Sequence, residues 1–250
     1  MYDTYQEIFS LRGNAYHDAM AIEPTARDEE FLNAVRLLDL SDGEVLVDFP
    51  SGGGYLQQYL PESVQLIQGE TCQSFFDQLK PEQSHKTFMG DFESIPLESD
   101  AAGVFICLAA LHHVADVAQF FSEVTRVLRN DGQFLVADVV EGSNIAEFLN
   151  TFVDQHNSMG HHGVFLSSQT LQIAQEKGLK CQAHEVIDFD WKFRSEKNML
   201  DFCRGLFGLD LANDERIKQG IHRYLVPRKK GEHFYLRWQL AYIKFGLAGD

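Results

Sequence analysis

Three acidic residues recur at similar intervals in the first hundred positions: Asp48, Glu70 and Asp91. Asp48 leads into Asp48-Phe-Pro-Ser-Gly-Gly-Gly54, where Gly52, Gly53 and Gly54 allow a ligand to approach bare backbone. Their plain alternative is a tight turn. Glu70 stands 22 residues beyond Asp48. An ionised carboxylate only accepts hydrogen bonds, so an acid there suits the two hydroxyls of a ribose. Asp91 follows Gly90 and could accept from an exocyclic amine, while Phe92 could pack on a purine face. Each acid alone reads as a solvated loop residue. The three together point to a nucleoside pocket.

A second set of residues could move protons or bind metal. His112 and His113 close the stretch Leu108-Ala-Ala-Leu-His-His-Val114. An imidazole titrates near ~6.5, so either could serve as a base at neutral pH. The alternative is that one caps a helix and the other packs. His156, His161 and His162 lie with Asp154 in Asp154-Gln-His-Asn-Ser-Met-Gly-His-His-Gly163. These are suitable ligand types, but the spacing matches no metal motif, so a polar loop and no metal are expected. Trp191, Phe193, Phe202 and Phe207 form a ring-rich stretch. Phe202 and Phe207 read as core at helical spacing, Trp191 and Phe193 as the lining of an apolar ligand site.

These residues need elements to hold them. Glu44 to Phe49 reads as a buried strand ending at Pro50 and the glycines. Before it, Phe31, Ala34, Val35 and Leu38 recur at i, i+3, i+4, i+7 and mark a helix that Thr25 could cap. Val64 to Ile67 reads as a second strand with a helix over 71–79, Thr87 to Met89 as a third, and Gly103 to Leu108 as a fourth, apolar throughout. Asp116 caps a helix carrying Phe120, Val124, Val127 and Leu128 that stops at Asn130-Asp-Gly132, and Gln133 to Val140 is a fifth strand. Strands alternating with helices argue for a parallel sheet covered on both faces. Helices are expected over 145–156, 168–177, 197–207 and 214–224, with a strand over 180–190. Phe234, Leu236, Trp238, Leu240 and Tyr242 alternate with Tyr235, Arg237, Gln239 and Ala241, which reads as an edge-type antiparallel strand.

The 250 residues are 44% hydrophobic and 23% charged, with 20 Phe and a net charge of −16. That charge repels phosphate backbones and anionic lipid, so nucleic acid and membranes are excluded as expected partners. Arg228, Lys229 and Lys230 are the single basic run of three and read as a solvated loop. Cys72, Cys107, Cys181 and Cys203 form no Cys-x-x-Cys pair, a reduced, cytosolic pattern. The N-terminus lacks a basic signal-peptide region. The longest apolar run, 101–111, falls short of the roughly 20 residues a spanning helix needs. A soluble, cytoplasmic protein is expected.

With these residues assembled, the sequence resembles class I S-adenosylmethionine-dependent methyltransferases over about 39–140, and as topology to the C-terminus. The family's Asp-x-Gly-x-Gly-x-Gly loop appears as Asp48 to Gly54. The resemblance implies an α/β, Rossmann-like doubly wound sheet of about seven strands, mostly parallel with an antiparallel last strand. It implies one methyltransferase-like domain over 1–250, with 1–25 as a lid and 141–170 and 191–231 on the acceptor side. The implied cofactor is S-adenosylmethionine, with S-adenosylhomocysteine as product. Its residues would be Asp48, Ser51, Gly52, Gly53, Gly54, Glu70, Thr71, Asp91, Phe92 and Leu108. Tyr16, in a lid segment with Arg12, His17 and Met20, would reach the cofactor's carboxylate end. His113, and secondarily His112, would position or deprotonate a small organic acceptor. A monomer or homodimer is expected.

Two departures stand out: Pro50 replaces the loop's first glycine, and Ala102-Gly103 replaces the usual Phe-Asp before strand four. Pro50 has no N–H to donate. A non-catalytic binding or regulatory module on the same fold is therefore the alternative. A nicotinamide-dependent oxidoreductase is opposed by the lack of Gly-x-Gly-x-x-Gly.

Overall fold

The computed structural model describes residues 5–79 and 86–248. The chain opens with helix α1 (Tyr5–Ile22), which buries Tyr5, Ile8, Ala19 and Met20. Residues 1–4 of the expected lid lie outside the described residues. Helix α2 (Asp28–Arg36) carries Asp28, Glu29 and Glu30 in its first turn and Arg36 in its last, the polarity a helix dipole favours. Arg27, not Thr25, occupies the cap position, without a side-chain cap bond.

Strands β1 (Val45–Asp48), β2 (Gln65–Glu70), β3 (Lys86–Met89), β4 (Ala102–Leu108) and β5 (Leu128–Asp138) run parallel to their neighbours. Between β1 and β2 stands a five-residue 3₁₀ turn, Tyr55–Tyr59. The helix expected over 71–79 shrinks to α3 (Gln73–Phe76). Helix α4 (Val117–Val127) is capped by Asp116, whose carboxylate accepts from Gln119 N at 2.9 Å. It ends at Val127 rather than at Asn130-Asp-Gly132, because Leu128 already pairs with Ala102 and opens β5. Asp116→Ala should lower the unfolding free energy by about 1 kcal/mol; an unchanged denaturant midpoint would remove the cap from the account.

Next come α5 (Asn144–Glu147), a π-turn (Phe148–Val153), α6 (Asp154–His156), α7 (Ser168–Glu176), and the long edge strand β6 (Leu179–Phe193). Helices α8 (Glu196–Phe207) and α9 (Asp214–Tyr224) precede a hairpin of β7 (Pro227–Lys230) and β8 (His233–Leu247). The sheet order is β3-β2-β1-β4-β5-β8-β6, with β7 paired to β8.

This is the α/β, Rossmann-like architecture expected, with two corrections. Among the described residues the sheet has eight strands, close to the number expected, and the basic run Arg228 to Lys230 pairs with β8 across the turn at Gly231 instead of forming a loop. The last strand is also not an edge. It inserts antiparallel between β5 and β6, so Ala241, on its expected wetter side, is buried.

Strand β4 explains how both faces are filled. Val104 and Ile106 enter one core with Leu46, Leu66 and Leu135, while Phe105 and Cys107 enter the other with Val47, Phe134 and Val136. A strand covered on both sides reads as continuous hydrophobicity. The chain direction of the sheet order reverses between β1 and β4. The crevice beyond their carboxyl ends, at Asp48 and Leu108, is where an open α/β sheet takes ligands.

Candidate functional site

The glycine loop leaves β1 directly. Gly52, Gly53 and Gly54 all adopt left-handed φ, at 61°, 94° and 84°. Other residues pay steric strain there. Gly53 also lies against α1: a Cβ there would lie 2.2 Å from His17 Cε1.

Glu70, at the end of β2, holds the loop in place. Its Oε1 accepts from Ser51 Oγ at 2.7 Å and from Gly53 N at 2.8 Å. Burial raises its pKa to about 7 against these hydrogen bonds, which favour the anion. Burial, then the charge of Glu70, pushes the Asp48 carboxyl well above the usual carboxylate range. Asp48 Oδ2, Glu70 Oε2 and Thr71 Oγ1 are buried with no hydrogen-bond partner. Buried polar atoms are rarely left so, and these sit at or just after the carboxyl ends of β1 and β2, where ligands of such sheets are taken.

Two cavities open over the sheet. The first, of about 480 Å³, is lined by Asp48, Pro50, Ser51, Gly52, Tyr55 and Leu108, with Tyr5, Phe9 and Tyr16 of α1 on the opposite wall. The second, of about 690 Å³, is lined by Arg12, His112, His113, His161, Trp191, Phe207 and Trp238, among others. Phe9, Tyr16, Arg27 and Ala109 line both cavities. Ala109 sits at φ 51°, a left-handed conformation rare for alanine, and its N–H donates to Ala137 O at 2.7 Å.

The structure brings some expected site residues together and disperses others. Asp48, Ser51, Gly52, Leu108 and Tyr16 line the first cavity. Gly53, Glu70 and Thr71 stand behind it, and Gly54 packs toward Gln68. Asp91 is exposed and faces neither cavity. Phe92 is core: its ring meets Tyr5, Phe49 and Phe120, so it offers no free face to a purine. Phe193 is likewise core against Phe202; Phe207 is core as expected and, with Trp191, also lines the second cavity.

His112 is held by Asp138, with its Nδ1 2.7 Å from Asp138 Oδ1. His113 is pushed well below the ordinary histidine value by burial, then by its neighbours His112 and His161, and is neutral at pH 7. The loop histidines separate. His161 turns inward beside His112 and His113, His162 faces Asp154 at 3.4 Å, and His156 contacts Arg216.

Sequence reasoning passed over Arg27 and Glu30. Arg27 is buried; its Nε donates to Glu30 Oε2 at 2.9 Å, its second edge bonds Glu30 and Tyr16, and Trp191 Nε1 donates to Glu30 at 3.1 Å. Burial works against the Arg27 charge, but Glu30 and Tyr16 hold its pKa above the ordinary arginine value. Nothing in the local pattern sets Arg27 apart from a surface cation at a helix start. Its burial comes from Trp191, far along the chain.

The comparisons with known proteins agree with this geometry. Residues 47–136, from β1 through most of β5, match a methyltransferase domain. Over these residues the chain is similar to methyltransferases. The uncharacterized methyltransferase YcgJ of Bacillus subtilis is 26% identical over 157 residues, 59% of this chain. The match spans 60% of that relative's length. The crystal structure of YcgJ superimposes with a TM-score of 0.64 at 20% identity, covering 89% of this chain and 100% of that one.

Two other solved structures share the fold. The geranyl diphosphate C-methyltransferase of Streptomyces coelicolor, solved with geranyl diphosphate and S-adenosylhomocysteine, gives a TM-score of 0.59 at 14% identity over 88% of this chain and 80% of that one. The [4+2]-cyclase SpnF gives 0.59 at 17% identity over 89% and 81%. Among the described residues, no helix is long and apolar enough to cross a membrane.

Proposed function

We propose that this chain transfers a methyl group from S-adenosylmethionine to a small organic acceptor. The observation that carries the reading is the pair of cavities sharing Phe9, Tyr16, Arg27 and Ala109. One is bounded by the glycine loop, the other by imidazoles and indoles. Two reactants can thus meet across a common wall, which is the main requirement of an in-line displacement.

When bound, S-adenosylmethionine supplies an electrophilic methyl group on a sulfonium. The chain does the rest. Gly52 and Gly53 offer backbone without side chains, and Asp48 Oδ2, Glu70 Oε2 and Thr71 Oγ1 supply unpaired polar atoms. Tyr16 and Arg27 stand at the junction of the cavities, and α1 closes over the loop and excludes water. His113 faces the second cavity and would position the acceptor's hydroxyl or amine there. The lid role of 1–25 and the acceptor-side role of 141–170 and 191–231 belong to this proposal. They are supported by Arg12, Leu149, His161, Trp191 and Phe207 in the second cavity. Asp91 and Phe92 have no part in it.

The test is calorimetric titration of the purified protein with S-adenosylmethionine, S-adenosylhomocysteine and NAD. Micromolar binding of the two sulfur nucleosides and none of NAD is expected; silence from both, or binding of NAD alone, would overturn the reading. Ribose hydroxyls donating to Glu70 favour its anion, so binding near pH 7 should release a proton. Affinity should then rise as the pH passes upward through about 7. Heats measured in buffers of different ionisation enthalpy report that proton, and Glu70→Gln should abolish it.

The stability effect has the opposite sign. A carboxyl raised on folding from 4.5 to about 7 contributes stability below 4.5 and loses it as pH rises through about 7, so Glu70→Gln should flatten that loss.

One observation favours a second reading, a non-catalytic module that binds the same ligand: Pro50 puts a residue without an N–H in the loop. Formation of S-adenosylhomocysteine with candidate acceptors would decide for catalysis.

A further inference from the structure

The second cavity holds a group of three imidazoles drawn from two distant parts of the chain. His112 and His113 lie on a single 3₁₀ turn, Leu111–His113, just beyond β4. His161 arrives on the loop after α6, which is tied back to the turn by Val164 N donating to His112 O at 3.0 Å. The ring centroids are 4.1 Å apart for His112 and His113, 5.6 Å for His112 and His161, and 5.4 Å for His113 and His161. Each histidine offers one ring nitrogen, and all three lie within 4.8 Å of one another.

The outer nitrogens of two of them are fixed. His112 Nδ1 faces Asp138 Oδ1 at 2.7 Å, and the other oxygen of Asp138 accepts from His112 N at 3.1 Å. A carboxylate only accepts, so His112 carries its proton on Nδ1 and keeps a lone pair on Nε2. His161 Nδ1 faces Asn150 Oδ1 at 2.9 Å. That oxygen also accepts from the backbone of Gly163 at 2.9 Å, which identifies it as the oxygen of the amide. His161 is therefore held in the same tautomer. A carboxylate and an amide orienting two imidazoles from behind form the outer support typical of a metal site.

The ligand set also decides which metal. Imidazoles without a carboxylate suit zinc and its first-row neighbours rather than magnesium or calcium. Three protein ligands with the fourth position open to a cavity is the pattern of a reactive zinc site rather than a structural one. Tetrahedral zinc at about 2.1 Å from each nitrogen spaces the nitrogens about 3.4 Å apart, which small side-chain rotations can reach from the observed grouping.

We propose that His112, His113 and His161 bind one first-row divalent ion, Zn²⁺ or a close substitute, with Asp138 and Asn150 as positioning residues. The open coordination position faces the cavity that adjoins the glycine-loop site. The ligand it suits is an acceptor with an ionisable hydroxyl or thiol, near the cationic Arg12. That acceptor assignment rests on the methyl-transfer reading; binding of the ion does not.

The experiment uses the full chain freed of metal with a chelator. Zn²⁺ is titrated calorimetrically, and Co²⁺ is followed by its visible absorption. One ion per chain is expected, with the strong visible bands of low-coordinate Co²⁺. His161→Gln and His113→Ala should each weaken binding at least a hundredfold, and Asn150→Ala about ten- to a hundredfold. The paired substitution His156→Ala with His162→Ala, at histidines outside the group, should leave it unchanged. Circular dichroism confirms that each variant is folded; His161→Gln, with the support of Asn150 intact, is the decisive one. No uptake by the native chain, uptake unchanged in His161→Gln, or uptake lost in the outer pair would overturn the site. Titration with S-adenosylmethionine is independent: ion binding without nucleoside binding would keep the metal site and remove the methyl-transfer reading, and the reverse result would do the opposite.

Discussion

Glu30→Ala should destabilise the protein by about 3–5 kcal/mol, because it leaves the buried guanidinium of Arg27 without a counter-ion. For a chain of 250 residues that corresponds to a fall in Tm of roughly 6–20 °C. Arg27 is buried between Phe31 and Trp191, with its guanidinium carbon 5.2 Å and 5.7 Å from their ring centres. Glu30 is fully buried and also accepts from Trp191 Nε1 at 3.1 Å.

Replacing both charges by apolar residues, Arg27→Met with Glu30→Leu, should recover at least half of the loss, since a buried pair costs nearly as much to desolvate as it returns. The recovered protein should still bind ligand poorly, because Arg27 lines both cavities. Thermal unfolding of the three variants measures the first point and calorimetry the second. A loss below about 1 kcal/mol for Glu30→Ala would mean that water reaches Arg27 after all.

Gly53→Val should reduce affinity for S-adenosylmethionine at least a hundredfold while the sheet stays folded. A β-branched residue at φ 94° is strongly disfavoured, and its Cβ would overlap His17. Relief requires the loop to move, which breaks the bond from Gly53 N to Glu70 and turns Glu70 Oε2 away from the ligand. Gly142 provides the control. It too has positive φ, at 74°, but nothing lies within 4 Å of an added Cβ. Gly142→Ala should cost about 1 kcal/mol of stability and leave binding alone. Equal binding by wild type and Gly53→Val would take the glycine loop out of the proposed site.

Several elements were legible because one local cause sufficed. Strand β4 is an apolar run with covered faces on both sides, and α4 begins at a residue whose carboxylate satisfies an orphan backbone N–H. The loop after β1 was legible as well, since three glycines tolerate the left-handed backbone found there. Phe92 was misread for a related reason: a ring beside an acid has the same sequence whether it stacks on a ligand or enters the core. Here Tyr5 and Phe49 pack against it.

What the residues determined unaided was the set of local shapes and their chemistry. Periodicity reports which face of an element is buried, and the types of Asp48, Glu70, His112 and His113 limit what they can bind. What only the tertiary structure decided was which elements share a boundary. Antiparallel insertion of β8 between β5 and β6 brings Trp238 onto Trp191, at 4.3 Å between rings, and closes the second cavity. The return of the loop at Val164 carries His161 to His113, and the packing of α1 brings His17 against the glycine loop. Each of these contacts joins segments tens of residues apart or more, where local propensity carries no information and the burial of whole faces selects the partner.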